Sequence, residues 1–549
     1  MENVYLPSRD SKPQGQNTVE NPPIGLDFGT TNSVLAHYND EFHHRGSSAY
    51  SFPLLDESSV YPSLLYYNKT LDKFSTGIAA KTKLVTEPEA IATSVKRKIS
   101  EKEIRIAGKI MSPKDIASHI IVGLLREVKS TELKMMPTII TMTVPYYFKQ
   151  SQNIILQNAA EEAFKEVFGK TYEINLIPEP VSAAIDYIYS NRHGIKNLSQ
   201  NILIYDIGGG TCDVTVVKCY LSGSNLEFEV LGIDGDGQLG GDDIDQLLLD
   251  YICHEVDIDF NVFLADKKYA KSIAVLTEAV RNLKEQLSIQ EESNLIVPML
   301  YVNDSYINID IVVTRQEFSE LLRTKKIKGR NETVLGVLDS VMKRLKVKSR
   351  NVTVDALLPI GGTSNIPAVQ QIVQRNFPNS EHIQLQDNGA QVSVARGAAI
   401  VSALKDERGI WPLGKTIQKV SIKMRVPHSL SVAMHDGTLV RLIESNSPAP
   451  SKATKTFYAT REDATGMYVE LPSIDLYQGD GKRVDSDRVE LIGRIDLSPY
   501  MLYTHGRDLN NIPIQIIFIA DATSLTAKII AAGVNSDGTD LTINEIIKL

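Results

Sequence analysis

The feature that most constrains this chain is a repeated strand–turn–strand. Ile24-Gly25-Leu26-Asp27-Phe28 is an apolar strand, Gly29-Thr30-Thr31-Asn32 a polar glycine turn, and Ser33-Val34-Leu35-Ala36 a second strand. Residues 202–217 repeat the theme. There Ile202-Leu203-Ile204-Tyr205 leads to Asp206, the chain turns through Gly208-Gly209-Gly210-Thr211-Cys212-Asp213, and Val214-Thr215-Val216-Val217 leads away. Each copy sets an aspartate at the end of an apolar run, then glycine, then threonine. The copies lie about 180 residues apart, which predicts two related lobes facing each other. A third strand, Ala356-Leu357-Leu358-Pro359-Ile360, ends on Gly361-Gly362-Thr363-Ser364.

Between these turns, strand and helix signals alternate. Residues 60–67, 138–144, 174–177 and 295–313 read as strands. Residues 113–128, 149–168, 246–256, 270–290, 332–346, 367–375 and 392–404 read as helices, the first with Ser112 as N-cap and Pro113 at its first position. Pro178-Glu179-Pro180 reads as a break before a helix over 182–189. Such alternation predicts an α/β layer architecture. Beyond about residue 410 the apolar residues alternate singly, and His435-Asp436-Gly437, Gly479-Asp480-Gly481 and Ser536-Asp537-Gly538 read as turns. This predicts an all-β unit, a sandwich or partly open barrel. The expected plan is a flexible leader over 1–22, an α/β region over 23–410, a linker over 411–425 and a β unit over 426–549.

The glycine turns suggest phosphate chemistry. Glycines let backbone N–H groups approach phosphate oxygens, and threonine hydroxyls add donors. Aspartates at the strand ends would be repelled by phosphate unless a hydrated magnesium ion lies between, which suits Asp27 and Asp206, with Asp213 following. There is no P-loop and no Rossmann spacing in the first turn. The formal net charge of −9 argues against a broad nucleic-acid footprint. Three cysteines supply neither a disulfide framework nor a four-cysteine zinc site, and no run approaches a membrane span. A cytoplasmic protein with no nucleic-acid or membrane partner is expected.

These motifs, in this order, resemble the heat-shock protein 70 family of ATP-driven chaperones, from about Ile24 onward. Gly25 to Ser33 resembles the family's first phosphate motif, Asp206 to Asp213 the second, and Pro359 to Pro367 the adenosine motif. Leu239-Gly240-Gly241-Asp242-Asp243 resembles the segment that meets the nucleotide from the opposite lobe. In the β unit, Leu442 to Pro450 and the Tyr477-Gln478-Gly479-Asp480 turn are similar to family segments. The resemblance implies a two-lobed actin-like (ribonuclease H-like) ATPase domain and a β-sandwich that binds extended apolar peptides, here without a helical lid.

The implied cofactors are ATP and magnesium. The implied partners are unfolded or extended peptide segments, a J-domain co-chaperone and a nucleotide exchange factor. Lys81, in Gly77-Ile78-Ala79-Ala80-Lys81, takes the position of the family's catalytic lysine on the γ-phosphate and attacking water. The resemblance implies that Glu179 orients that water, that Thr211 lies near the γ-phosphate and that Asp206 joins them as a catalytic residue. Gly29, Thr30, Thr31, Asn32, Gly208, Gly209, Gly210, Thr211, Gly240, Gly241, Gly361, Gly362 and Thr363 hold the nucleotide, with Lys284 and Ser288 on ribose and base. Asp27 and Asp206 hold magnesium through water. The base side departs from the family: Arg281 stands in place of a glutamate, Asn365 of an arginine and Gln391 of an aspartate. The segment Thr416 to Arg425 is basic where the family's linker is acidic and leucine-rich. Two further readings stay open: a non-catalytic or regulatory relative, and a specialised chaperone of iron–sulfur cluster assembly. A sugar or glycerol kinase of the same architecture is disfavoured by the β unit.

Overall fold

A computed structural model describes residues 22–38, 49–56, 58–131, 136–190, 199–222, 225–385, 389–405, 419–434, 436–458, 460–462, 468–470, 473–486, 489–496, 513–534 and 540–548. The leader expected over 1–22 lies, apart from Pro22, outside the described residues, as does most of the expected linker. The chain divides into two compact units, Met1–Pro145 with Ile154–Ser421, and Tyr146–Asn153 with Ile422–Leu549.

The first unit contains the repeat as two sheets of the same design. In one, the central strand Ile24–Phe28 pairs in parallel with Ile140–Val144 and antiparallel with Asn32–Tyr38. Ile174–Pro178 extends the parallel side and Ala49–Ser51 the antiparallel side. In the other, Ser199–Ile207 pairs in parallel with Ala356–Ile360 and antiparallel with Cys212–Ser222. Glu381–His382 extends the parallel side and Asn225–Asp236 the antiparallel side. Over these five strands of each sheet, order and direction match. Parallel neighbours need a crossover of a dozen or more residues, and the helix Gln150–Phe168 supplies it between Ile140–Val144 and Ile174–Pro178.

Two helices stand between these sheets. Gly389–Lys405 packs on the first sheet and on Glu179–Ser190, which also packs on Ser199–Ile207 and Cys212–Ser222. The approach is close because glycine permits it. A Cβ on Gly397 would lie 1.9 Å from the Ser182 carbonyl oxygen, and one on Gly25 would lie 2.1 Å from that of Ala395. Polar groups pin the contact. Ser182 Oγ donates to the Val394 carbonyl at 2.7 Å, and Ser402 Oγ donates to the Ile24 carbonyl at 2.7 Å. Arg396 makes a two-pronged pair with Asp186, at 3.2 and 3.0 Å, with both side chains buried.

The Pro178-Glu179-Pro180 break is absent. The strand runs through Pro178 and the helix starts at Glu179 without an intervening loop. Pro180 is tolerated because the first turn of a helix leaves its N–H groups unpaired anyway. The long strand Asn225–Asp236 carries alternating Leu226, Phe228 and Val230, but Gly232 and Gly235 disguise its second half in the sequence. Ser112 caps the helix Pro113–Thr131 as expected, accepting from the Asp115 amide at 3.1 Å. No described helix is long and apolar enough to cross a membrane.

The second unit is built around two four-stranded sheets. One orders Leu439–Ile443, Leu430–Ala433, Ser473–Gly479 and Val489–Asp496; the other orders Ser451–Tyr458, Pro513–Ala520, Leu525–Val534 and Asp540–Lys548. Leu430, Ile474, Leu476 and Ile495 from the first meet Ile516, Phe518, Ala527 and Ile529 from the second in one core. Alternation with one apolar face per strand produces this double layer. Tyr477-Gln478-Gly479, read as a turn, lies in a strand, and Lys419–Lys423, within the expected linker, is also a strand. Tyr146–Asn153 falls within this unit although it was read with the α/β region. Tyr146 Oη donates to the Arg425 carbonyl and accepts from its amide, both at 3.0 Å, and the Gln150 amide donates to Gln478 at 3.0 Å.

His37, on Asn32–Tyr38, stacks on Phe52 at 4.5 Å and keeps Nδ1 buried without a hydrogen-bond partner. Burial lowers its pKa to about 4. Below the ordinary histidine value of 6.5 the unfolded chain therefore takes up a proton that the folded protein refuses. Its contribution to stability is complete above that value and is lost as pH falls towards 4, by at most ~3 kcal/mol. In urea titrations from pH 7 to pH 4.5, the His37→Phe variant should lose less stability than the parent chain; parallel losses would remove His37 from the account.

Candidate functional site

The acidic residues meet at the carboxyl ends of the central strands, where open α/β sheets place their ligands. Asp27 ends the first central strand and its Oδ1 accepts from Thr143 Oγ1, on the parallel neighbour, at 2.8 Å. Asp206 ends the equivalent strand of the second sheet and stands opposite Asp213 across the hairpin. Glu179 heads the helix Glu179–Ser190. Glu179, Asp206 and Asp213 are buried and Asp27 is half-buried.

Among the described residues, Lys96 is the cation that enters this group. It lies on the one-turn helix Val95–Lys98, 4% exposed, with Nζ 2.5 Å from Glu179 Oε1. Val95 and Ile99 anchor that turn in the core and carry Lys96 inward. Burial opposes the lysine's charge, but Glu179, Asp27 and Asp206 outweigh it and hold its pKa above the ordinary lysine range. Burial also raises Asp27, Glu179 and Asp206, against the pull of Lys96. Glu179 is lifted to about 7, and Asp206, pressed further by Glu179, Asp213 and Asp27, well above the usual carboxylate range.

Lys81 is not brought to this cluster. It ends the short helix Gly77–Lys81 on an exposed face, at the mouth of the cleft. The lysine that the fold buries beside Glu179 is Lys96, because Val95 and Ile99 draw its turn into the core, whereas Lys81 closes an exposed helix end. The signal in the sequence was a lysine flanked by Val95 and Ile99 at core spacing, inside the basic run Lys96-Arg97-Lys98.

The glycine turns converge on the same region. The Gly241 amide donates to the Gly208 carbonyl at 2.9 Å, and the Asp242 amide to that of Gly209 at 2.8 Å. Thr363 Oγ1 donates to the Gly208 carbonyl at 2.9 Å, and the Gly208 amide to the Thr211 carbonyl at 3.2 Å. Gly361 has φ +75°, and a Cβ there would lie 2.5 Å from the Ile207 carbonyl and 2.8 Å from Asp206 Oδ1. Side chains at Gly209, Gly210, Gly240 and Gly241 would likewise meet neighbours, whereas Gly208 and Gly362 face open space where a ligand can lie against the backbone. Gly29 makes its turn so tight that a Cβ would lie 2.0 Å from the Asn32 carbonyl.

A cleft of about 1010 Å³ opens beside these turns. Thr30, Thr31 and Asn32 line one side, and Asp242, Asp245 and Arg281 the other. Lys284 Nζ pairs with Asp245 at 2.7 Å and approaches the Gly241 carbonyl at 3.3 Å. Ser288 Oγ turns back to the Lys284 carbonyl at 3.0 Å. Arg281 Nε pairs with Asp245 at 3.3 Å, while Asn365 and Gln391 are exposed.

Among the described residues no three His, Cys, Asp or Glu side chains are arranged to ligate one metal ion directly. Three buried carboxylates and the half-buried Asp27, around the Lys96 ammonium, nevertheless form an oxygen-rich, net negative pocket that suits a hard divalent cation held through its waters.

A family model described as Hsp70 protein matches residues 99–522. The match begins after Asp27, the first glycine turn and Lys96, which rest on their own geometry. It spans well over half of the sequence, including Glu179, the second and third glycine turns and most of the β unit, and the chain belongs to the Hsp70 protein family.

Proposed function

We propose that this protein is an ATP-hydrolysing chaperone. An actin-like ATPase domain binds nucleotide in the cleft between its two lobes, and the β-sandwich takes extended apolar peptide segments. The observation that carries the reading is the buried Lys96–Glu179 pair among Asp27, Asp206 and Asp213, at the ends of duplicated strands. Residues 30–32, 208–211, 240–241 and 361–363 bind and orient the phosphates and nucleoside, with Lys284 and Ser288 on the ribose side. Lys96 stabilises charge on the transferring phosphoryl group, Thr211 lies beside it, and Glu179 and Asp206 orient and accept a proton from the attacking water. Asp27 and Asp206 would hold magnesium through its waters, and the ion would supply charge neutralisation for the phosphates. A J-domain co-chaperone and an exchange factor act as partners in the cytoplasm.

Family membership, together with these acidic and basic groups, supports turnover. A second reading, nucleotide binding with little turnover, is favoured by Arg281 and by the exposed Asn365 on the base side. Phosphate release from Mg-ATP, measured alone and with a J-domain protein and peptide, separates the two. The chaperone reading expects a slow basal rate that rises with both, and an ATP-induced fall in the anisotropy of a bound fluorescent peptide. Nucleotide binding without phosphate release, and with no peptide binding, overturns it.

A further inference from the structure

One arginine holds the phosphate-side turns of the two lobes together. Arg97 follows Lys96 on the one-turn helix Val95–Lys98. Its Nη2 donates to Asp243 Oδ1 at 3.2 Å, and its Nη1 lies 3.9 Å from Asp242 Oδ2. Ser94, which precedes that helix, donates to Asp242 Oδ2 at 2.7 Å. Ser94 has φ +52°, a left-handed conformation that costs a non-glycine residue roughly 1 kcal/mol and collects at binding and switch sites. Asp242 and Asp243 belong to the first turn of the helix Gly241–Glu255, in the opposite lobe.

The stem of Arg97 also packs against the second glycine turn. A Cβ on Gly210 would lie 2.5 Å from Arg97 Cγ and 3.0 Å from Thr30 Oγ1, and one on Gly209 would lie 2.5 Å from Thr31 Oγ1. The first glycine turn, the second glycine turn and the arginine stem are therefore in contact. A phosphate group passes between them only when they part.

A guanidinium matches phosphate oxygens as well as it matches carboxylates, so an entering polyphosphate competes for it directly. The two aspartates are held without Arg97. Asp243 Oδ2 accepts from the Gly240 amide at 2.8 Å as part of the helix cap, and Asp242 keeps Ser94. The carboxylates can thus give up the arginine and stay in place.

We propose that Arg97 is a latch between the lobes that is exchanged for phosphate. In the nucleotide-free protein it pairs with Asp242 and Asp243 and holds the phosphate-side turns together at the wall of the cleft; when nucleotide enters, it transfers to an oxygen of the polyphosphate chain. This rests on the nucleotide reading above. The latch lowers the population of the binding-competent state and so weakens apparent affinity, whereas the phosphate contact strengthens it.

Titration with fluorescent N-methylanthraniloyl-ATP, with binding rates from stopped flow, tests both halves. The Asp242→Asn/Asp243→Asn protein removes the carboxylate charge but keeps amide oxygens for the cap. It should bind faster, and about threefold or more tighter, than the parent chain. Adding Arg97→Ala to that background should weaken ATP about tenfold, while adenosine, which has no phosphate, is unaffected. Arg97→Lys, the gentler change, should give an intermediate loss for ATP. Circular dichroism confirms that each variant is folded. If the parent chain binds no ATP, the nucleotide reading falls and the latch with it. If the parent binds but the double asparagine variant is not tightened, or Arg97→Ala leaves ATP affinity unchanged in that background, the latch proposal alone is overturned.

Discussion

Replacing Lys96 with alanine is expected to lower phosphate release from Mg-ATP by about 10²–10³-fold, the usual cost of losing one preorganised charge at a developing anion. Lys81→Ala should stay within about twofold of the parent, as befits an exposed side chain. The contrast follows from burial. Lys96 is the cation that Glu179, Asp27 and Asp206 all act on, and Lys81 acts on none of them. Removing the amine also leaves four carboxyl groups without their cation, so Lys96→Met, which keeps most of the stem, should be made in parallel. Nucleotide binding, measured separately, should survive in both Lys96 variants, since the glycine turns are untouched. A Lys96→Ala protein that hydrolyses ATP at the parental rate would refute the assignment, and loss of turnover in Lys81→Ala alone would return it to Lys81.

The second large effect is on stability. Arg396→Met should lower the unfolding free energy by about 3–5 kcal/mol, because it strands the Asp186 carboxylate in the packed interface of Glu179–Ser190 and Gly389–Lys405. The helix it loosens begins at Glu179, and its partner helix packs on the strand that ends at Asp27. Arg396→Met combined with Asp186→Leu should recover most of the loss, since two apolar side chains of similar size can replace a buried ion pair. Urea denaturation of the single and double variants measures this. Equal losses in both would mean that packing around Ser182 and Gly397, rather than the ion pair, carries the interface.

Much of the site was legible because its parts are local. A strand ending in aspartate and turning through glycine and threonine needs only a dozen residues to declare itself, and both copies fold as hairpins whose aspartates end the central strands. Glu179 entered through the family resemblance of Pro178-Glu179-Pro180, and the break expected there is a direct strand-to-helix junction. Lys96 was not found because its flanking Val95 and Ile99 mark a buried turn but do not say which charges lie around it. Its character comes from carboxylates 83 positions away at Glu179, and further still at Asp206.

Hydrophobic period, glycine placement and the internal repeat determined from the sequence alone that the chain has an α/β region made of two like halves, followed by β-structure. Those signals are local, and each element carries its own copy. Tertiary structure decided which lysine is buried, which arginine ties the lobes together, and which glycines are filled by neighbours and which face open space. Each of these depends on atoms brought together across scores to hundreds of residues. Charge, burial and close approach become properties of a residue only when those partners are in place.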